Sequence, residues 1–151
     1  MSVPDAEVGR RVEQFKNELR SAGFRLTHQR LEVVREVAST DAHPDADRVF
    51  RRVRERVPTI SLDTVYRTLG TLADMGLVNR VSVMAGAARY DANTTQHHHF
   101  ICIRCGLIRD IESSSLEAPV LSALAGELGQ VESIEVCVRG ICSECADSDH
   151  A

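Results

Sequence analysis

The sequence has no apolar run approaching the roughly 20 residues needed to cross a bilayer, and Met1 is not followed by a charged and then apolar leader. A membrane protein is therefore not expected, and a cytoplasmic one is. Cysteine is missing from the first hundred residues; all five lie between Cys102 and Cys145. Without a leader, such late and clustered cysteines argue against a disulfide framework. Nor is the chain short of apolar residues, which make up 43% of it and exclude wholesale disorder. Its 151 residues suffice for one ordinary domain or two small ones.

Basic residues are scarce in the last part of the chain. Residues 1–90 hold 15 Lys and Arg against 12 Asp and Glu, whereas residues 91–151 hold 3 against 10. A basic half suits phosphates and an acidic half avoids them.

The first ninety residues read as helices followed by a hairpin. Residues from about 5 to 22 form one helix, ending near Gly23. Thr27 caps a second, with Leu31, Val34, Val37 and Ala38 on one side. Asp45 caps a third, whose face carries Ala46, Val49, Phe50, Val53 and Val57 before Pro58 ends it. Ser61 caps a fourth, with Val65, Leu69, Leu72 and Ala73 as its buried stripe and Gly76 just beyond it. Leu77 to Val83 reads as a strand, Ala85 to Ala88 as a turn, and Arg89-Tyr90 as the start of a return strand.

Helices followed by a hairpin describe a winged helix-turn-helix, in which the helix before the hairpin enters the major groove. Its outward face offers Ser61, Asp63, Thr64, Tyr66, Arg67, Thr68 and Thr71. Arginine forks onto guanine, while hydroxyls and the tyrosine reach phosphates or thymine methyl groups. Helical spacing alone favours a plain helical bundle; the hairpin after Gly76 and the basic balance turn the reading toward DNA.

Cys102-Ile103-Arg104-Cys105 and Cys142-Ser143-Glu144-Cys145 are two Cys-x-x-Cys pairs about 40 residues apart. Each spacing lets a tight turn aim two thiolates at one ion, and two pairs close a tetrahedral shell, which suits structural Zn(2+). A thioredoxin-like redox pair is the competing reading. The fifth cysteine, Cys137, sits in an alternating strand and reads as an ordinary free thiol.

His97-His98-His99 leads into the first pair. In a strand, His97 and His99 point one way and His98 the other. Asp91 and Asp110 are nearby oxygen donors, and His43 is a fifth candidate. Imidazole and carboxylate together suit Fe(2+) or Mn(2+), and also accept zinc. A solvated or adventitiously binding histidine stretch is the plainer alternative.

Taken together, Leu26-Thr27-His28-Gln29-Arg30, His43-Pro44, Ser61 through Leu69, His97 through Gly106, and Cys142-Ser143-Glu144-Cys145 resemble the ferric uptake regulator family over nearly the whole chain. The resemblance implies an α+β protein: a winged-helix DNA-binding domain at 1–90 and an α/β dimerisation and metal-sensing domain at 91–151. It implies a homodimeric repressor of double-stranded operator DNA, not an enzyme, with no membrane and no small-molecule substrate other than peroxide. By carry-over, His43, Asp91, His97, His99 and Asp110 hold regulatory Fe(2+) or Mn(2+), and Cys102, Cys105, Cys142 and Cys145 hold zinc. Ser61, Thr64, Tyr66, Arg67 and Thr71 fall on the DNA-reading helix.

Iron-uptake members usually carry glutamates at the positions of Asp91 and Asp110, whereas peroxide-sensing members resemble this chain in carrying aspartates. In that branch Fe(2+) reacts with hydrogen peroxide and oxidises ligand histidines, here His43 and His97. The alternative is an iron-responsive repressor, because Thr64-Val65-Tyr66-Arg67 also resembles the recognition helix of iron-uptake members. A further metal site of some iron-uptake members is matched by Glu117, but Gln96 and Ile134 stand where its histidines belong. Two other functions fit parts of the pattern: a hydrolase built on the His/Asp cluster, and a zinc-ribbon module that binds protein.

Overall fold

Three polar side chains start three of the helices. In the computed structural model, which describes residues 3–81, 86–112, 126–130 and 134–148, Thr27, Asp45 and Ser61 accept hydrogen bonds from the N–H groups of Arg30, Arg48 and Thr64. Each satisfies a donor that the first helical turn leaves over. The helices are α1 (Asp5–Ser21), α2 (His28–Ala38), α3 (Ala46–Arg56) and α4 (Leu62–Asp74). At the end of α4, Gly76 adopts φ 69°. Leu77 and Val78 then direct their N–H groups back to the Leu72 carbonyl at 2.9 and 3.4 Å. Those two residues are buried in the helical core. Strand pairing consequently begins only at Asn79, two residues later than the apolar run suggests.

Strands β1 (Asn79–Val81) and β2 (Arg89–Asp91) form an antiparallel pair, with Arg80 opposite Tyr90. The end of the expected first strand, Val83, and the first turn residue, Ala85, lie outside the described residues, as does Glu117. Helices and hairpin belong to one compact unit, Met1–Thr94. Asp91, at the end of β2, is therefore part of it.

Helix α2 packs against α1, α3 and α4. It is buried over a wider arc than one apolar stripe: Val33, Val34, Val37 and Ala38 are all enclosed, whereas Leu31 is only half-buried. Glu32 is drawn in as well. Its carboxylate receives Arg56 at 2.8 Å and Arg35 at 2.7 Å, and Arg56 also reaches Glu36 at 2.9 Å. A buried carboxylate is tolerable when it is paired in this way.

The second compact unit, Thr95–Ala151, holds β3 (His97–Cys102), β4 (Ile108–Glu112), β5 (Cys137–Gly140) and a short helix α5 (Ser143–Asp147). The sheet order is β4-β3-β5. Strand β4 is antiparallel to β3, with Asp110 opposite His99. Strand β5 runs parallel to β3, with Cys137 opposite His99 and Gly140 opposite Cys102. Gly140 has a steric reason to lack a side chain: a Cβ there would meet the Phe100 ring at 3.2 Å.

Candidate metal centres

The two Cys-x-x-Cys pairs converge. Cys102 ends β3, Gly106 turns the chain at φ 71°, and Gly106 donates to the Cys102 carbonyl at 3.0 Å. Cys142 and Cys145 flank the first turn of α5. The four Sγ atoms all lie within 4.8 Å of one another, and Cys105 and Cys142 are 3.7 Å apart. Zn–S bonds of about 2.3 Å at the tetrahedral angle place sulfurs about 3.8 Å apart. The cage thus has the size of a four-thiolate zinc shell.

The electrostatics agree with the geometry. The Cys102 thiol is pulled down to about 6 by the N–H groups of Cys105 and Cys142, the latter at 3.3 Å from its sulfur. The Cys145 thiol is pushed up to about 12 by the crowding of Cys142 and Cys105. Four thiolates at such spacing repel one another, and a divalent cation is what relieves them.

A second set of donors gathers at the other end of β3. Alternation along the strand turns His97 and His99 to one side. Their Nε2 atoms are 3.0 Å apart, and Asp110 Oδ1 on the neighbouring strand lies 3.6 Å from His97 and 3.8 Å from His99. His97 Nδ1 is 2.7 Å from the Thr95 carbonyl. A carbonyl only accepts, so Nδ1 carries the proton. His99 Nδ1 faces the Glu135 carboxylate at 3.3 Å and is held likewise. In the neutral rings both Nε2 atoms therefore present lone pairs to the same point.

Two facing lone pairs beside a carboxylate repel unless a cation sits among them. Metal–nitrogen bonds of about 2.1 Å at right angles place donors about 3.0 Å apart, so the two imidazoles fit an ion, with the Asp110 oxygen slightly farther out. Two histidines and one carboxylate on one face are the donor set that Fe(II) sites with open positions use.

The N-terminal unit holds a pair of its own. His43 and Asp91 are both buried, with His43 Nε2 3.6 Å from Asp91 Oδ2. The other oxygen of Asp91 accepts from the Asn93 N–H at 2.8 Å. Sequence reasoning named both residues but missed what surrounds them. His43 adopts φ 47°, the one non-glycine residue with positive φ among the described residues. Thr95, Glu135 and the Arg89 guanidinium, 3.2 Å from the His43 carbonyl, also escaped it.

On α4, Tyr66 and Arg67 are exposed, Arg67 in a surface pair with Asp63 at 2.8 Å. The hydroxyls are more committed than their residue types suggest. Ser61 caps the helix and shares a 2.9 Å bond with Thr64, and the Thr71 hydroxyl donates to the Arg67 carbonyl. Thr68 corrects the sequence reading outright. It is buried, and its hydroxyl donates back to the Thr64 carbonyl at 2.7 Å, so it does not belong to the outward face.

The model for the ferric uptake regulator family matches residues 21–138. The chain is 32% identical to the peroxide-responsive repressor PerR of Staphylococcus aureus strain Mu50, over 97% of this chain and 99% of that one. Among solved structures it resembles the Campylobacter jejuni peroxide stress regulator, at 29% identity and a TM-score of 0.68, with 88% of this chain and 96% of that one covered. It also shares the fold of the Helicobacter pylori ferric uptake regulator, with a TM-score of 0.80 at 21% identity, covering 92% and 93%.

Proposed function

The chain belongs to the ferric uptake regulator family, and on that premise we propose that it is a metal-dependent repressor that releases operator DNA in response to hydrogen peroxide. The observation that carries this reading is the converging face of His97, His99 and Asp110, with aspartate rather than glutamate at both carboxylate positions of the proposed ligand set. The 32% identity to a peroxide-responsive repressor supports the same branch.

In this proposal Cys102, Cys105, Cys142 and Cys145 hold a structural zinc ion. His97, His99 and Asp110 share a regulatory Fe(2+) or Mn(2+) with His43 and Asp91. Support comes from the donor chemistry: both sets pair imidazole with carboxylate, a combination that suits Fe(2+) or Mn(2+). One ion drawing on both units ties the DNA-binding half to the dimerising half of a cytoplasmic homodimer. In the metal-tied state, α4 offers Ser61, Thr64, Tyr66, Arg67 and Thr71 to an operator.

When bound, Fe(2+) would activate hydrogen peroxide so that one of its oxygens passes to a carbon of an adjacent imidazole and the other leaves as water. The protein's own part is to aim the rings. Thr95 and Glu135 hold the Nδ1 protons of His97 and His99, so that Nε2 of each points inward. A ring that gains oxygen loses that lone pair as a ligand; the tie between the units then fails and repression ends. His43 and His97 are the expected targets.

The test loads zinc-replete protein with Fe(2+), adds equimolar peroxide without air, and measures peptide masses alongside DNA binding. One added oxygen on the peptides holding His43 or His97, with loss of DNA binding, supports the reading. Unmodified peptides, with DNA binding that tracks free iron, overturn it in favour of an iron-responsive repressor. DNA binding by a His97→Ala, His99→Ala double variant that equals wild type in the presence of metal removes the regulatory-site assignment altogether.

A further inference from the structure

His43 is held in a conformation that its surroundings must enforce. Its φ of 47° lies in the left-handed region, which L-residues avoid. Pro44 follows, and a residue before proline is steered toward extended backbone instead. Left to itself, the segment would relax and carry the imidazole away from Asp91. Such strain persists only where neighbouring structure over-determines it.

The neighbour that does so is β2. The Tyr90 N–H donates to the Pro44 carbonyl at 2.9 Å, and Arg89 forms an antiparallel bridge with Asp45. Arg89 then adds a side-chain contact: its Nη1 donates to the carbonyl of His43 itself at 3.2 Å. Two residues further along the same strand comes Asp91. One three-residue strand thus clamps the backbone of one candidate ligand and carries the other. The backbone bonds grip Pro44 and Asp45, whereas the guanidinium grips the carbonyl of the left-handed residue itself.

We propose that Arg89 is a positioning residue for His43: its hydrogen bond to the His43 carbonyl keeps the imidazole aimed at Asp91, and so sets how tightly this pair holds the regulatory metal. The proposal rests on the reading of His43 and Asp91 as ligands. It adds a residue that touches no metal and carries no ligand atom. Outer partners of this kind typically change metal affinity by about 10–100-fold when removed.

The experiment uses full-length, zinc-loaded protein, titrated with Mn(2+) and followed by the loss of the free-ion paramagnetic resonance signal. It compares wild type, Arg89→Ala and Arg89→Lys at a temperature where all three are folded. Arg89→Ala should weaken Mn(2+) binding by about tenfold while keeping one zinc per chain. Arg89→Lys, which keeps the charge and a donor but not the planar fork, should recover part of the loss. A lesion that merely loosens the fold would not be rescued by lysine, nor would it move the Mn(2+) affinity of folded protein. An Arg89→Ala affinity equal to wild type overturns the proposal; if that variant does not fold, a wild-type affinity in Arg89→Met, which keeps the apolar stem but has no donor, overturns it. Wild type that takes up no Mn(2+) at all refutes the ligand reading on which the proposal stands, an outcome distinct from the other two.

Discussion

Replacing Cys105 by serine tests whether the cysteine cage holds the C-terminal unit together. Cys105 is exposed, so serine removes a metal ligand without disturbing the apolar packing. The effect is large because of what the cage closes. Cys105 and Cys142 are 37 positions apart in sequence, and a crosslink over such a loop removes about 4 kcal/mol of chain entropy from the unfolded state. A unit of roughly 60 residues has a stability of only about 3–9 kcal/mol. The sheet offers little reserve, since β5 is attached by a four-residue parallel pairing to β3 alone among the described strands. Without the clip, 95–151 should therefore unfold, or nearly so, while the helical unit stays folded. Hydrogen exchange read by mass spectrometry resolves the two. In Cys105→Ser, or after chelation of the zinc, the amides of His99, Cys102 and Ile103, which bond to Val136, Leu107 and Gly140, should lose protection. Those of α2 to α4 should retain it. Unchanged protection of β3 in zinc-free protein would refute the reasoning, because the sheet would then stand without its clip.

Arg67→Ala should weaken operator binding by about 1–3 kcal/mol if the guanidinium reads a base, measured by gel shift at fixed salt with metal present; unaltered binding would remove α4 as the reading helix. Leu69→Ala, at a side chain with no exposure, should cost about 2–5 kcal/mol in urea denaturation, and a cost below that range would mean the site collapses around the gap. Arg56 first and Arg35 second hold the Glu32 carboxyl below its ordinary 4.5. A lowered folded value contributes stability that is complete above the unfolded value and is lost as pH falls through the folded one. Glu32→Gln should accordingly flatten the acid limb of a stability–pH curve below about pH 5, and an unchanged slope would count against the Arg56 pairing.

Much of this was legible in the sequence because it is local. N-caps, helical stripes and Cys-x-x-Cys turns are set by neighbours in the chain, so Thr27, Asp45, Ser61 and the four cysteines could be read directly. The alternation that puts His97 and His99 on one side of β3 is equally local. What escaped depends on residues distant in sequence. Glu135 meets His99 only because β5 pairs in parallel with β3, and no pattern of period two specifies that partner. Arg89 reaches His43 across 46 positions. Thr68 was misassigned because a threonine on a helix can turn its hydroxyl back to the carbonyl four residues earlier, which makes a polar residue buriable. The left-handed His43 runs against the extended backbone that the following proline favours, so its explanation lies in tertiary contacts.

Strand β3 is six residues long and carries donors of two kinds, imidazoles and a thiolate. Cys102 stands at an even position and His97 and His99 at odd ones, so the pleat sends the thiolate and the imidazoles to opposite faces of the sheet. On the proposed ligand assignment, the sheet is thereby an insulator between two ions of different chemistry. A thiolate that reached the histidine side would bind zinc more tightly than a nitrogen and oxygen set does, and would make that site unresponsive to iron. It would also offer oxidant a competing sulfur target. An insertion of one residue between His99 and Cys102 would break this separation without altering a single ligand. The protein would still bind metal, but its ligands would no longer be sorted by chemistry.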